Sequence, residues 1–305
     1  MGTPEFAVAT LDAIVKSKHE VAGVVTAPDR PAGRGRKLKS SAVKEFALEH
    51  GLPLAQPEKL RDPEFQQQLE SWKPEAIVVV AFRMLPKSVW ALPPKGTFNV
   101  HASLLPQYRG AAPINWALIN GETKTGVTTF LLDQEIDTGN ILLQTEEVIG
   151  PNDLLEDLYG RLMSSGAELA LQTLDGLEAG SLSPVVQSEE QALKPAPKLN
   201  SETGHLDWSQ SAEDIHNLVR GLSPFPGAWT QWEQEQGPLK VKVYNTRVAE
   251  GGAPQGMVRV EGKQLFAGCG TGRLEILELQ PAGKKRMRAS DFINGLGDKT
   301  ELIFA

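Results

Sequence analysis

Ala76-Ile77-Val78-Val79-Val80-Ala81-Phe82 is the longest apolar run in the chain. Within it Ile77–Phe82, β-branched over most of its length, reads as a strand buried on both faces, the pattern of a parallel sheet. Val21–Thr26 reads the same way. Around these strands lie helix-like stretches, one opened by Thr3-Pro4, one near Ser41 and one by Asp62-Pro63. In each proline case the ring falls where a first-turn N–H has no partner anyway. Val127–Asp133 and Asn140–Val148 read as a later strand pair separated by a turn around Asp137-Thr138-Gly139. Leu155, Leu158, Leu162, Leu169, Leu174 and Leu177 then recur at helical spacing, and Gly180 suits a C-terminal cap. Residues 1–182 are therefore expected to form a doubly wound, mostly parallel α/β sheet of Rossmann-like type.

Residues 183–203 shift to Pro, Lys, Ser and Gln without period and read as a linker. Residues 204–305 hold one helix (Ser211–Arg220) and short alternating runs at Trp229–Trp232, Leu239–Val243, Met257–Val260 and Leu274–Leu279, split by Gly-rich turns. That spacing predicts a small, OB-like β-barrel.

Composition narrows the class. The chain has 305 residues, 40% hydrophobic, too apolar for a disordered polymer and long enough for two cores. The longest apolar run is far short of the roughly 20 residues a membrane span needs. Met1–Phe6 lacks the basic-then-apolar order of a signal peptide, and Phe6 stands where a myristoylation motif wants Ser or Thr. The single Cys269 excludes an internal disulfide and argues against a cysteine-rich metal site. A soluble cytoplasmic protein is expected. The net charge of −7 argues against wholesale coating by nucleic acid, but two local basic patches stand out. Residues 28–39 carry Arg30, Arg34, Arg36, Lys37 and Lys39 against Asp29, and residues 284–288 carry Lys284, Lys285, Arg286 and Arg288. Taken alone, each reads as a solvated loop.

Chemistry concentrates in Gly96-Thr97-Phe98-Asn99-Val100-His101-Ala102-Ser103-Leu104-Leu105-Pro106, followed by Tyr108-Arg109-Gly110. Alternation turns Phe98 and Val100 inward and sets Asn99 and His101 side by side, at a strand end where open α/β sheets bind ligands. Pro106 and Gly110 turn the chain, so the amides of Ser103–Leu105 are expected to face a ligand. Asp137 is the third polar candidate. Asn, His and Asp together suit oxyanion stabilisation and proton transfer. Ser103 lacks the Gly-flanked elbow of a triad hydrolase, and one His with one Asp falls short of the usual metal set. Singly, each has a plainer reading: a core histidine, a strand-edge amide, a turn aspartate. Spacing by itself leaves enzyme and non-enzyme open.

The stretch Asn99-Val100-His101-Ala102-Ser103-Leu104-Leu105-Pro106-Gln107-Tyr108-Arg109-Gly110-Ala111-Ala112-Pro113-Ile114 resembles the signature of the 10-formyltetrahydrofolate-dependent formyltransferases. Gly2-Thr3-Pro4-Glu5-Phe6-Ala7 is similar to that family's opening loop. Residues 28–38 are similar to the basic insertion loop of the members that act on charged initiator tRNA, and residues 222–229 and 280–285 to their C-terminal domain. The resemblance covers nearly the whole chain. It implies a formyltransferase fold over 1–182 and a tRNA-binding barrel over 204–305. It implies formyl transfer from 10-formyltetrahydrofolate, as co-substrate and without a metal, to the α-amine of methionyl initiator tRNA. Asn99 and a protonated His101 would donate to the oxygen where negative charge develops. Asp137 would orient His101 or relay the proton the amine loses. That amine attacks only when neutral, so activity should fall at acid pH. Ser103, Leu104, Leu105 and Pro106, with Val80, Phe82 and Leu85, would line the folate pocket. Arg30, Arg34, Arg36, Lys37, Lys284, Lys285 and Arg286 would contact tRNA, and the protein would work as a monomer.

Some positions depart from the family. Its members carry a short apolar strand before the Gly-Thr-Pro loop, where this chain has only Met1. That strand is central in the expected sheet order, so its neighbours are expected to lose ladder partners and the true start to lie upstream. Arg83 stands where the family usually has Gly, and Glu135 is unusual beside Asp137; both are expected to alter the pocket locally. Two other readings compete: formyl transfer to another amine, such as a sugar nucleotide or glycinamide ribonucleotide, and an RNA-binding protein with an inactive catalytic domain. A nicotinamide dehydrogenase is argued against, because no Gly-x-Gly-x-x-Gly follows a strand.

Overall fold

The computed structural model describes residues 1–32, 37–188 and 193–305, with Ala32 and Lys37 described by their backbone alone. Residues 1–110, 126–147 and 160–195 form one compact unit, and residues 111–125, 148–159 and 196–305 form a second. The N-terminal elements are α1 (Glu5–Val15), β1 (Val24–Val25), β2 (Arg30–Ala32), β3 (Lys37–Lys39), α2 (Ala42–Glu49), β4 (Leu54–Ala55), α3 (Pro63–Ser71), β5 (Ile77–Val79), α4 (Lys87–Trp90) and β6 (Thr97–His101). They are followed by α5 (Pro113–Ile119), β7 (Lys124–Leu131), β8 (Ile141–Val148) and α6 (Leu155–Ala179).

Helix starts follow local chemistry. The Ser41 hydroxyl accepts from Lys44 N at 3.1 Å and the Asp62 carboxylate from Glu64 N at 3.0 Å, each satisfying a first-turn donor. Gly180, at φ +63°, stops α6 in a conformation that a side chain resists. β1 and β4 are parallel, as are β5 and β6, and β6 pairs antiparallel with β7 in the order β5-β6-β7-β8. Gly2 lies between the two groups: its N donates to Val25 O at 3.1 Å, and Val80 N donates to Met1 O at 2.9 Å. The strand expected over 77–82 ends at Val79, because Ala81 adopts φ +45° and leaves the β region. Val25, Ala55, Phe65, Leu69, Ile77, Val79 and Val89 pack into one core.

The second unit continues with α7 (Ala212–Leu222), β9 (Ala228–Trp232), β10 (Leu239–Ala249), β11 (Met257–Glu261), β12 (Gln264–Gly268), β13 (Arg273–Pro281), β14 (Met287–Arg288), α8 (Ala289–Asn294) and β15 (Glu301–Ile303). The antiparallel sheet runs β15-β11-β12-β13-β10-β9. Its two edges meet, since Gln231 N donates to Ala305 O at 3.0 Å and Ala305 N donates back to Gln231 O at 2.8 Å. The sheet therefore curls into a small barrel around Ile215, Val219, Leu222, Val241, Val243, Leu265, Leu274, Ile276 and Phe304. Among the described residues no helix is long and apolar enough to cross a membrane.

His216 on α7 is buried in this unit, with Nδ1 2.9 Å from Thr246 Oγ1 and Nε2 3.1 Å from Pro151 O. Burial, with a smaller push from the Arg220 charge, holds its pKa below the ordinary 6.5, against the pull of the Pro151 carbonyl. The folded form resists the proton, so this contribution to stability is full above the unfolded value and is lost as pH falls below it. Between about pH 7.5 and about pH 5.5 the urea midpoint of wild type is expected to fall further than that of His216→Gln. Equal falls would remove His216 as the cause.

Candidate active site

β6 carries Asn99 and His101 to the C-terminal end of its strand. Asn99 is in register with Val79 on β5 and Phe130 on β7, and His101 with Thr128. Asn99 Oδ1 is buried with no hydrogen-bond partner among the described residues. Such a group costs about 1–3 kcal/mol when it is left without a partner. His101 is 6% exposed, with Phe130 edge-on at 6.3 Å between ring centroids. Its Nε2 lies 2.9 Å from Tyr108 O. A carbonyl only accepts, so Nε2 carries a hydrogen. Nδ1 is then left aimed at Asp137 Oδ2 across 3.8 Å, a gap too long for a hydrogen bond.

Two strained turns make this arrangement. Tyr108 at φ +62° and Asp137 at φ +58° both occupy the left-handed region that side-chain-bearing residues avoid. One turns its carbonyl and the other its carboxylate toward His101. Gly110 N donates to Asp137 Oδ2 at 2.9 Å. Gly139 is required by close approach, since a Cβ there would lie 1.7 Å from Leu131 O.

The loop after β6 is tied from within. Ser103 N donates to His101 O at 2.9 Å, and Leu105 N donates to Thr128 Oγ1 at 3.1 Å. Thr128 Oγ1 donates in turn to Ser103 O at 2.7 Å, and Gln144 Nε2 donates to both Leu105 O and Thr128 Oγ1 at 2.9 Å. The expectation that the Ser103 and Leu105 amides face a ligand is therefore corrected. These buried donors need partners, and acceptors on β6 and β7 already meet them. Thr128 and Gln144 were not legible in the sequence, because one Thr and one Gln within strands carry no local signature. Tyr108 stood inside the motif, but it acts here through a backbone carbonyl.

Of the other expected residues, Val80, Leu85 and Leu105 are buried, and Phe82, Leu104 and Pro106 are half-buried. Arg83 is turned onto the backbone of 57–58: Nη1 donates to Glu58 O at 2.8 Å and Nη2 donates to Pro57 O. Glu135 is exposed, its N donating to the Asp133 carboxylate at 3.0 Å. Arg30 is exposed on the β2–β3 hairpin, which also carries the Lys37 backbone; Arg34 and Arg36 lie outside the described residues. Lys284 and Lys285 are exposed in the second unit. Arg286 is ion-paired with Glu278, its guanidinium 4.6 Å from the centre of the Tyr244 ring.

Residues 1–174 match the Formyl transferase family, and residues 198–297 match the Formyl transferase, C-terminal domain family. The chain is 47% identical to the methionyl-tRNA formyltransferase of Flavobacterium johnsoniae, over 97% of this chain and 95% of that one. Among solved structures, the N-formyltransferase of Helicobacter canadensis in complex with folinic acid and dTDP-3-aminofucose matches with a TM-score of 0.66 at 18% identity, over 92% of this chain and 97% of that one. HypX from Aquifex aeolicus in complex with tetrahydrofolic acid matches with a TM-score of 0.60 at 20% identity. That match covers 83% of this chain and 44% of HypX, so this chain spans less than half of that protein. These two likenesses show the fold alone. With family matches in both halves and a relative at 47% identity along nearly its whole length, the chain belongs to the formyl transferase family.

Proposed function

We propose that this chain transfers a formyl group from 10-formyltetrahydrofolate to the α-amine of methionyl initiator tRNA, for translation initiation. The observation that carries the reading is 47% identity, along 97% of the chain, to an enzyme named for that reaction. The buried Asn99 oxygen without a partner fits a site that receives a polar group from a bound donor. When bound, 10-formyltetrahydrofolate supplies the formyl carbon. Asn99, its amide turned to present Nδ2, donates a hydrogen bond to the oxygen where negative charge develops; one such donor is worth about 2.7–4 kcal/mol. His101 has Nε2–H committed to Tyr108 O, so Nδ1 is the nitrogen that takes up a proton and donates it toward that oxygen. The Asp137 carboxylate orients the ring, stabilises the imidazolium that forms, and accepts the proton lost by the amine or relays it to the folate nitrogen, which leaves as its bond to the formyl carbon breaks. The amine must be neutral to attack, so activity falls at acid pH. The step is assigned no metal.

In this reading residues 1–182 are the catalytic domain and 204–305 the tRNA-binding barrel, joined by 183–203, of which 185–188 and 193–195 are bonded to the catalytic side, in a monomer that works in the cytoplasm. Ser103, Leu104, Leu105, Pro106, Val80, Phe82 and Leu85 line the folate site. Arg30, Arg34, Arg36 and Lys37 in one patch, and Lys284, Lys285 and Arg286 in the other, meet tRNA phosphates. Arg34→Ala and the pair Lys284→Ala/Lys285→Ala are expected to raise KM for tRNA by about tenfold and to make its rise with salt shallower, because fewer counterions are released on binding, with KM for the folate unchanged. An unaltered KM for tRNA would remove these contacts. The reaction itself is tested by incubating the purified chain with 10-formyltetrahydrofolate and charged initiator tRNA and measuring formylmethionine. Formylation of a sugar nucleotide or glycinamide ribonucleotide in preference to the tRNA would overturn it.

A further inference from the structure

Residues 185–188 and 193–195 belong to the first unit and are bonded into it, although the stretch reads as a linker in the sequence. Val185 and Ile141 exchange backbone bonds, each N donating to the other's O at 2.8 Å. Tyr108 N donates to Lys194 O at 2.7 Å, and Lys194 N donates to Gln107 Oε1 at 2.8 Å. Gln187 is 7% exposed, and its side chain makes four hydrogen bonds. Nε2 donates to Asp137 O and to Gly139 O, both at 2.8 Å. Oε1 accepts from Arg109 Nε at 3.0 Å and from Arg109 Nη2 at 2.8 Å. A glutamine amide has two N–H groups and two lone pairs on oxygen, so its whole capacity is used. Turning the amide over would set N–H against N–H and oxygen against two carbonyls.

We propose that Gln187 is a positioning residue for the formyl transfer, locking Arg109 and the 137–139 turn into the one arrangement that sets the Asp137 carboxylate opposite His101 Nδ1. The proposal rests on the reaction assigned above. Gly110 N, the residue after Arg109, donates to Asp137 Oδ2. Gln187 therefore holds both ends of that bond: the donor side through the Arg109 guanidinium, the acceptor side through the Asp137 main chain. Asp137 stands at φ +58°, a conformation that persists only where its surroundings over-determine it. Two of the bonds that over-determine it come from this one amide. Released, the turn is free to relax, and a displacement of about 1 Å at a reacting group costs on the order of 10²-fold in rate.

Two variants separate the halves of the clamp. Gln187→Leu removes all four bonds. Gln187→Glu keeps an acceptor for Arg109 but sets a carboxylate oxygen against the Asp137 and Gly139 carbonyls. Both are expected to lower kcat by about 10- to 100-fold, with KM for folate and tRNA within about twofold of wild type. In an Asp137→Asn background, Gln187→Leu is expected to cost less than about threefold further, because no carboxylate remains to be positioned. Hydrogen exchange at Gly110 N–H is expected to speed up by about tenfold or more in Gln187→Glu, a readout that needs no turnover. A wild-type kcat in Gln187→Glu, an equal loss with and without the Asp137 carboxylate, or unchanged exchange at Gly110 each overturns the proposal. If Gln187→Leu fails to fold, Gln187→Glu alone decides. A wild-type chain that transfers no formyl group counts against the assigned reaction instead, and the exchange measurement still judges the clamp.

Discussion

Asn99→Ala is expected to lower kcat by about 10²- to 10³-fold, with the thermal midpoint unchanged or raised. The two effects come from the two ends of one amide, Nδ2 for the activity and Oδ1 for the stability. Asn99 Oδ1 is buried without a partner, so the folded protein carries a desolvated polar group whose removal offsets the small cavity that alanine leaves. A residue that served only packing would lose stability when truncated. One that holds an unsatisfied amide for a reacting oxygen loses activity and leaves stability intact, the trade expected where a site is kept at the expense of the fold. Steady-state kinetics alongside a thermal melt read both signs. A variant that loses stability but keeps within about threefold of the wild-type kcat would show Asn99 to be structural.

Asp137→Asn is expected to lower kcat by about 10²- to 10⁴-fold while leaving the fold in place. The substitution is nearly isosteric. An Asn oxygen still accepts from Gly110 N, which holds the carboxylate at 2.9 Å, so the turn keeps that tie. What disappears is the negative charge aimed at His101 Nδ1 across 3.8 Å. With Nε2–H bound to Tyr108 O, the ring has only Nδ1 left for proton traffic, and the imidazolium formed there loses its counter-charge. The loss is expected in kcat, with KM for both substrates little changed, because neither substrate is bound by that charge before reaction. A drop of less than about tenfold, or a loss confined to KM, would place the proton relay elsewhere.

Much of this fold is legible in the chain because its signals are local. Ser41 and Asp62 cap the helices they precede, Gly180 ends α6 where its spacing ends, and the leucines from 155 to 177 lie on the helix their period implies. β6 is written in five residues, and Asn99 and His101 fall on it two apart. Strand ends were less legible. Val78, Val79 and Val80 read alike, yet the strand stops at Val79 because Ala81 turns into the left-handed region, a choice made by the loop that follows. The barrel was readable as alternating runs, but β12 and β15 were not separately visible, and the closure of residue 231 onto residue 305 has no counterpart in any local pattern.

By itself the sequence determined much of the alternation of elements, the starts of α2 and α3, the end of α6 and the presence of an Asn-x-His pair at a strand end. Each is set by propensity, capping or period within a few residues of itself. Only the tertiary structure decided which nitrogen of His101 remains for chemistry, which loop amides are already consumed, and that an amide in an apparently structureless stretch grips the turn bearing Asp137. Hydrogen bonds between groups far apart in the chain leave no period to read. They exist because a buried donor or acceptor takes whichever partner the folded backbone brings within about 3 Å.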